Sequence, residues 1–308
     1  MSGGTEVVDV RAGVADVTRA LGRWRDSVAA YFALTKPRII ELLLITTVPA
    51  MVVAAGGWPG TWLVVATLVG GSLSAGGANA LNSYLDRDID RVMRRTARRP
   101  LPTARVEPAR AALFGWVLGA AGFAWLWLAV NLLAAAISTA ALLFYVLVYT
   151  IGLKRATVEN IVIGGAAGAA PPLVGWAAVT GELSLAAWIM FAIVFYWTPP
   201  HFWALALRYR DDYARAGVPM LPVVAGVEVT TRRILVYSGA LVLVSLLMVP
   251  AAGLRWVYLA AAVGLGGWLV VEALRLARRP RRAMTMFGYT NLYLAALFAA
   301  MWVDVAAL

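Results

Sequence analysis

The sequence predicts an all-α, polytopic membrane protein: a helical bundle with nine transmembrane helices. Of the 308 residues, 62% are hydrophobic and only 14% are charged, whereas ordinary soluble domains carry roughly 25% charged residues. The mean hydropathy is +0.77. Apolar runs of about 20 residues, the length that crosses the hydrocarbon core of a bilayer, recur along the chain. These observations exclude a soluble multi-domain protein.

A hydropathy window of about 19 residues places the nine spans. They lie at residues 39–57, 62–82, 111–130, 132–150, 160–179, 185–205, 234–253, 257–274 and 287–305. Residues 1–35 are polar, alternate in charge and lack the apolar region of a signal peptide. We therefore expect a cytoplasmic N-terminal arm at 1–35 and a transmembrane domain at 36–308.

The basic residues predict the orientation. Every Lys and Arg except Arg255 lies on one side of the predicted spans, so the positive-inside rule predicts a cytoplasmic N-terminus and a C-terminus outside. The net charge of +11 is then a topology signal, and we expect no nucleic acid as a partner. The longest connections, 83–110 and 206–233, are both cytoplasmic. Because long loops tend to carry function, we expect the active site on the cytoplasmic side of a bacterial-type cell membrane.

The chain contains no Cys and a single His. The absence of Cys excludes disulfides, thiol catalysis, and Fe–S clusters or other metals held by Cys. One His is too few for a metal centre built from histidines.

The second span continues into an acidic segment, and no helix-breaking residue follows before Pro100. If the helix continues, Asn82, Asp86 and Asp90 share one face, because each step of four residues advances about 40° beyond a full turn. Asp88 then points the opposite way. Three such oxygen ligands suit Mg²⁺, which takes a few carboxylates together with substrate phosphate and water. The alternative is a solvated helix end whose acids pair with neighbouring arginines.

A second acidic pair, Asp211 and Asp212, lies in the other long cytoplasmic connection. Two acidic clusters on one face suggest two metal sites that share an anionic ligand. Basic residues suited to phosphate oxygens would face the same ligand. They are Arg95, Arg99, Lys154 and Arg155. The alternative is that these bases only set the topology and bind anionic lipid.

Four blocks of sequence, in this order, resemble the UbiA superfamily of intramembrane prenyltransferases. The blocks are Asn82-xxx-Asp86-xxx-Asp90 with Met93 to Leu101, Tyr149 to Trp176, Trp197 to Ala206, and Asp211 to Pro222. The resemblance covers residues 35–225. It implies a bundle around a central cavity that opens to the cytoplasm for metal and diphosphate, and to lipid for the isoprenoid tail.

The second acidic motif departs from the superfamily, which often has Asp-xxx-Asp there. In this chain Arg208 occupies the position four residues before Asp212. Of the adjacent pair Asp211 and Asp212, we favour Asp212 as the metal ligand, because it directly precedes Tyr213.

The resemblance is closest to the branch of the superfamily that modifies haem. It implies transfer of the farnesyl group of farnesyl diphosphate to a vinyl group of haem B, which makes haem O. Mg²⁺ is the implied cofactor, and haem B is a substrate. The implied partners are farnesyl diphosphate, haem B, membrane lipid and an enzyme that receives haem O. The implied catalytic residues are Asn82, Asp86, Asp90, Asp211 and Asp212, of which all but Asp211 are metal ligands.

His201 follows Pro199-Pro200, which we expect to kink the sixth span. Ionisable groups inside membrane spans are functional candidates. For a haem substrate, we expect His201 to contact haem, as an axial ligand of the iron or as an anchor for a propionate. The alternative is a histidine hydrogen-bonded to a carbonyl group that the kink frees.

Two other functions remain open on the sequence. Prenylation of an aromatic quinone or chlorophyll precursor would keep the acidic clusters but would not need His201. A transporter of an anionic lipid or metabolite would place polar groups at an interrupted helix, and the segment from Gly164 to Pro172 interrupts the fifth span.

Overall fold

The structure, a computed structural model, describes residues 24–307, except the side chains at 39 and 42–44. Within these residues all regular secondary structure is helical. Residues 1–23 of the expected arm at 1–35 lie outside the described residues. The remainder of the arm contains a helix, α1, at 24–34.

Fourteen further α-helices follow α1. They are α2 (Pro37–Ala55), α3 (Thr61–Leu85), α4 (Arg87–Val92), α5 (Pro108–Ala129), α6 (Leu132–Leu143), α7 (Asn160–Ala169), α8 (Pro171–Thr180), α9 (Leu185–Arg208), α10 (Arg210–Arg215), α11 (Leu221–Val224), α12 (Gly226–Leu246), α13 (Met248–Ala252), α14 (Trp256–Arg278) and α15 (Ala283–Ala306). A π-helical segment, Phe144–Leu153, continues α6, and a 3₁₀ turn, Pro280–Arg282, precedes α15.

Eight helical segments of the described chain are long and apolar enough to cross a membrane. They coincide with the second to ninth predicted spans, so the prediction of a polytopic helical membrane protein is confirmed. The first predicted span corresponds to α2, whose apolar stretch within the described residues is Ile45–Ala55. The count of nine spans and the sides of the termini stay predictions.

Small residues bring α3 and α5 into direct backbone contact. A Cβ atom on Gly77 would lie 2.7 Å from the carbonyl oxygen of Gly115 and 2.7 Å from the amide nitrogen of Gly119. Glycines at such a crossing allow two membrane helices to pack closely. This face of α3 packs against α5. Another face of α3 lines a cavity inside the bundle.

The two proline sites behave differently. The fifth span breaks as the sequence indicates, because α7 ends at Ala169 and α8 begins at Pro171. The sixth span, where we expect a kink, continues through Pro199 and Pro200 as a single helix, α9, and the kink stays a prediction.

Candidate active site at the polar end of a membrane cavity

A cavity of about 340 Å³ lies inside the bundle, and its lining changes from charged to apolar along α3. The charged end is lined by Lys36, Asn82, Asp86, Asp90, Arg95, Arg99, Lys154 and Tyr213. The other end is lined by small and apolar residues, among them Leu68, Gly71, Pro171 and Val174. The cavity can therefore hold a molecule with an anionic head and an apolar tail.

The acidic stripe crosses the junction between α3 and α4. Asp86 is the C-cap of α3 and the N-cap of α4. Helical hydrogen bonds nevertheless continue across it: its amide donates to the carbonyl of Asn82 (2.9 Å), and the amide of Asp90 donates to the carbonyl of Asp86 (2.8 Å). The four-residue spacing therefore continues through the junction. Asn82, Asp86 and Asp90 are 3%, 1% and 4% exposed and all line the cavity, whereas the side chain of Asp88 is 61% exposed. The shared face agrees with the spacing argument.

Each member of the stripe contacts a basic residue. Lys36 Nζ donates to Asn82 Oδ1 (2.7 Å). Lys154 Nζ pairs with Asp86 Oδ2, and Arg99 Nη1 donates to Asp90 Oδ1 and Oδ2 (3.0 and 2.9 Å). Opposite charges at these distances stabilise carboxylates that are removed from water.

One acceptor of the stripe is left over. Oδ1 of Asp86 is buried and has no hydrogen-bond partner among the described residues. Within the same residues, no three His, Cys, Asp or Glu side chains are grouped closely enough to hold a metal. The carboxylates of Asp86 and Asp90 and the amide oxygen of Asn82 instead fit Mg²⁺. This metal keeps several of its coordination positions for water and substrate phosphate.

The π-helical segment supplies residues to the same site. Asn82 Nδ2 donates to Asp86 Oδ2 (2.8 Å) and to Thr150 Oγ1 (3.1 Å), and the Thr150 hydroxyl donates to the carbonyl of Tyr145 (2.8 Å). π-helical turns are often found at functional sites. Here the segment places Thr150 against Asn82 and places Lys154, which follows directly, against Asp86.

Lys36 is a site residue that the sequence indicated only as part of the topology signal. Its backbone is left-handed (φ 53°), which is uncommon for a residue with a side chain. The amide of Asn79 donates to the neighbouring carbonyl of Thr35 (2.9 Å) and stabilises this turn. Burial, together with the nearby Arg99, lowers the pKa of Lys36 to about 7. The sequence did contain a signal for a role of Lys36 in the site, because a lysine directly before a span lies at the membrane surface.

The second acidic pair lies beside the cavity. Asp212 is buried and pairs with Arg215 within α10, whereas Asp211 is exposed, and neither lines the cavity. The following residue, Tyr213, does line it. Arg95 Nη2 donates to the hydroxyl of Tyr213 (2.7 Å), so this contact connects the two acidic regions.

Arg155 lies outside the cavity, unlike the other three predicted basic residues. Its Nη1 and Nη2 atoms each donate to Asp88 at 2.7 Å, and the pair lines a separate surface groove with Arg87 and Arg91. The hydrogen bond from Arg155 lowers the pKa of Asp88 to about 2, and the bond to Asp88 raises the pKa of Arg155.

His201 is buried between α9 and α15 and does not line the cavity. Its ring is stacked between Trp197 and Phe287, with centroid distances of 4.3 and 4.4 Å. Nδ1 lies 2.9 Å from Thr290 Oγ1. The alternative was a hydrogen bond from the histidine to a carbonyl freed by the kink. In the structure the partner of Nδ1 is the Thr290 hydroxyl instead.

The fold and the cavity define a class: a helical membrane protein whose internal cavity is charged at one end and apolar at the other. A model described as the UbiA prenyltransferase family matches residues 43–303. The chain belongs to this family.

Curated relatives cover most of the chain. It is 54% identical over 280 residues to "Protoheme IX farnesyltransferase" of Clavibacter sepedonicus, which is 89% of this chain and 92% of the relative. It is 57% identical to "Protoheme IX farnesyltransferase 1" of Saccharopolyspora erythraea, over 92% of this chain and 91% of the relative.

Solved structures share the fold at low sequence identity. A digeranylgeranylglyceryl phosphate synthase matches with a TM-score of 0.76 at 17% identity, over 92% of this chain and 99% of that one. A UbiA homologue from Archaeoglobus fulgidus bound to GPP and Mg²⁺ matches with a TM-score of 0.63 at 18% identity, over 88% and 99%.

Proposed function

We propose that this protein transfers the farnesyl group of farnesyl diphosphate to a vinyl group of haem B and so makes haem O. The observation that carries the proposal is the identity of more than half of the aligned residues to two relatives named protoheme IX farnesyltransferase, over about nine-tenths of each chain. A cavity with a charged end and an apolar end suits a prenyl diphosphate. No comparable observation favours a quinone precursor or a transported metabolite.

Asn82, Asp86 and Asp90 are the proposed ligands of one Mg²⁺, and Asp212 is the proposed ligand of a second Mg²⁺ that shares the diphosphate. The buried, unpartnered Oδ1 of Asp86 supports this assignment, and the Mg²⁺ bound by the Archaeoglobus fulgidus homologue supports Mg²⁺ as the metal. When bound, Mg²⁺ supplies positive charge to the leaving diphosphate. Asp211 is exposed, and we place it at the rim of the site.

Basic residues bind the diphosphate in this account. Arg95, Arg99 and Lys154 line the charged end of the cavity, and Lys36 joins them there. An arriving diphosphate gives these cations a second anionic partner beside the carboxylates. Tyr213 accepts a hydrogen bond from Arg95 and retains its own hydroxyl proton for a phosphate oxygen, since burial raises its pKa. Arg155, paired with Asp88, belongs to the rim.

The reaction then needs only ionisation, attack and capture. The C1–O bond of farnesyl diphosphate breaks, and the electron pair leaves with diphosphate, whose charge the cations stabilise. The π electrons of the haem vinyl group form the new C–C bond to the allylic cation. Water adds to the resulting carbocation and loses a proton, which gives the hydroxyl of haem O. Tyr145 and Tyr149, stacked at 5.4 Å beside the charged end, present ring faces suited to a cation.

His201 is the proposed haem contact, and its protonation follows from its partners. The Thr290 hydroxyl donates to the carbonyl of Phe287 (2.7 Å), so its oxygen accepts from Nδ1–H of His201. In the neutral ring the lone pair then lies on Nε2, and this is the form that binds iron. Two stacked rings cover its faces and Phe202 packs edge-to-face against it at 5.2 Å, so the proposed contact with haem is through Nε2.

His201→Ala tests this assignment in the purified protein. We expect weaker binding of haem B and a changed Soret absorption, with affinity for a farnesyl diphosphate analogue unchanged. Thr290→Val, which keeps the volume but removes the acceptor, should change the haem spectrum in the same direction by a smaller amount. Unchanged haem spectra in both variants would leave His201 with a packing role only.

We place the active site at the cytoplasmic face, because the basic residues that contact the stripe lie on the side that the positive-inside rule assigns to the cytoplasm. Haem O keeps the apolar farnesyl chain and stays with the membrane. We therefore propose a membrane-bound enzyme as its recipient.

One incubation tests the function. Membranes containing the protein receive haem B, isotopically labelled farnesyl diphosphate and Mg²⁺, and haem is extracted for mass spectrometry. We expect labelled haem O, and no product when a chelator removes Mg²⁺. Transfer of the label to an added aromatic quinone precursor in place of haem would overturn the proposal, and so would uptake of label without any product.

A further inference from the structure

The cavity face of α3 carries a glycine in line with the acidic stripe. Gly71 precedes Asn82 by eleven residues, which is three helical turns plus roughly 20°. Both residues line the same cavity. Gly71 therefore lies roughly 16 Å from Asn82 along the helix axis, toward the apolar end.

Gly71 differs from neighbouring glycines of the same helix in its surroundings. A Cβ atom on Gly70 would lie 2.5 Å from Leu126, and one on Gly77 would lie 2.7 Å from the backbone of α5. At Gly71 nothing lies within 4 Å of that position. Gly70 and Gly77 therefore serve helix packing, whereas the missing side chain of Gly71 leaves empty cavity.

A prenyl chain held by its diphosphate would reach this point with its third isoprene unit. An extended main chain advances roughly 1.2 Å per bond, so the twelve-carbon main chain of a farnesyl group extends roughly 13 Å beyond C1, and that of a geranyl group roughly 8 Å. The diphosphate separates C1 from the acidic residues. The end of a farnesyl chain then lies beside Gly71, and the end of a geranyl chain stops short of it.

We propose that Gly71 determines prenyl chain length: the missing side chain there makes room for the third isoprene unit. This rests on the proposed function, in which the acidic stripe holds the diphosphate. Ala75 lies on the same face, seven residues before Asn82 and roughly 10 Å from it, and borders the second unit. A larger side chain at either position closes the cavity at a different depth.

Binding of prenyl thiolodiphosphates, which do not ionise readily, tests the proposal without haem. The full-length protein in detergent with Mg²⁺ is titrated with the farnesyl and the geranyl analogue. Wild type should bind the farnesyl analogue at least roughly tenfold more tightly, because the third isoprene unit adds packing contacts with the cavity wall beside Gly71. In Gly71→Leu this preference should disappear or invert, with the affinity for the geranyl analogue within about threefold of wild type.

Gly264→Leu is the matched control. Gly264 is exposed on α14, has open space around it and does not line the cavity, so the same substitution there should keep the wild-type preference. Ala75→Leu should weaken the binding of both analogues. Gly71→Met, whose flexible side chain fills the same space, provides the measurement if Gly71→Leu does not accumulate in membranes.

The outcomes separate this inference from the proposed function. An unchanged preference in Gly71→Leu or Gly71→Met overturns the inference, and so do equal losses for the two analogues or a wild type without preference. Suppose that Gly71→Leu loses the farnesyl preference and that the wild type makes no haem O. This result would support the inference and overturn the proposed acceptor.

Discussion

The two acidic regions of the chain contain the same residue types in different surroundings. The stripe on α3 and α4 is buried, lines the cavity and contacts bases from three other segments of the chain. The pair on α10 lies beside the cavity, where Asp212 contacts Arg215 one turn away and Asp211 faces outward. An acidic motif therefore becomes a site through the elements packed against it, and the motif alone does not show this.

The largest expected effect lies in the stripe. Asp86→Ala or Asp90→Ala removes a carboxylate from the site and should lower kcat/KM roughly 1000-fold, since a metal contributes several kcal/mol of charge stabilisation. Asp88→Ala, on the exposed face, should keep activity within about threefold. Labelled haem O formation in membranes with matched protein levels measures all three. Equal losses of kcat/KM at the three positions would contradict the claim that the buried stripe, and not the exposed face, forms the active site.

The α10 pair should show a smaller and unequal effect. Asp212→Asn should lower kcat/KM roughly 10- to 100-fold, less than a loss in the stripe, because asparagine keeps an oxygen for the metal and loses only the charge. Asp211→Asn should change it less than about twofold, because that side chain is exposed. The same assay compares them. A larger loss at Asp211 than at Asp212 would reverse the assignment.

Arg99→Lys sharpens the comparison within the stripe. A single nitrogen of Arg99 contacts both oxygens of Asp90, so lysine can keep this contact, but it lacks the remaining donors of the planar guanidinium. We expect KM for farnesyl diphosphate to rise roughly tenfold with a smaller change in kcat. Wild-type kinetics in Arg99→Lys would remove this residue from the diphosphate site.

The smallest effect belongs to the exposed pair of Asp88 and Arg155. Asp88→Asn should cost less than about 1 kcal/mol of stability, as exposed ion pairs do. The folded pKa of Asp88 is lowered from 3.8 to about 2, so its contribution is complete above pH 5 or so and declines as the pH falls toward 2. The difference in Tm between wild type and Asp88→Asn in detergent should shrink between pH 7 and pH 3. A difference that grows on acidification would contradict this sign.

Hydropathy and helical spacing predicted what depends on nearby residues. The positions of the spans, the break before Pro171, and the shared face of Asn82, Asp86 and Asp90 follow from residues within a few turns of one another. Asp212 is buried and Asp211 is exposed, but which of the two binds metal stays a prediction.

Contacts between distant segments could not be predicted in this way. Lys36 meets Asn82 across 46 positions, and Thr290 meets His201 across 89. Arg155 contacts Asp88 outside the cavity, although Lys154 beside it contacts Asp86 inside. Lys154 and Arg155 lie in the turn that follows the π-helical segment, and their side chains point to different sides of it, which their adjacency in the sequence did not indicate.

The central claim is that the buried stripe holds metal and diphosphate, and one structure tests it most directly. The full-length protein would be determined with Mn²⁺, in place of Mg²⁺, and farnesyl thiolodiphosphate, with anomalous scattering locating the metal. We expect a metal about 2.1 to 2.2 Å from a carboxylate oxygen of Asp86, with the diphosphate between the stripe and Arg99. A metal in the exposed groove beside Asp88 and Arg155, with no density at Asp86, would contradict the account.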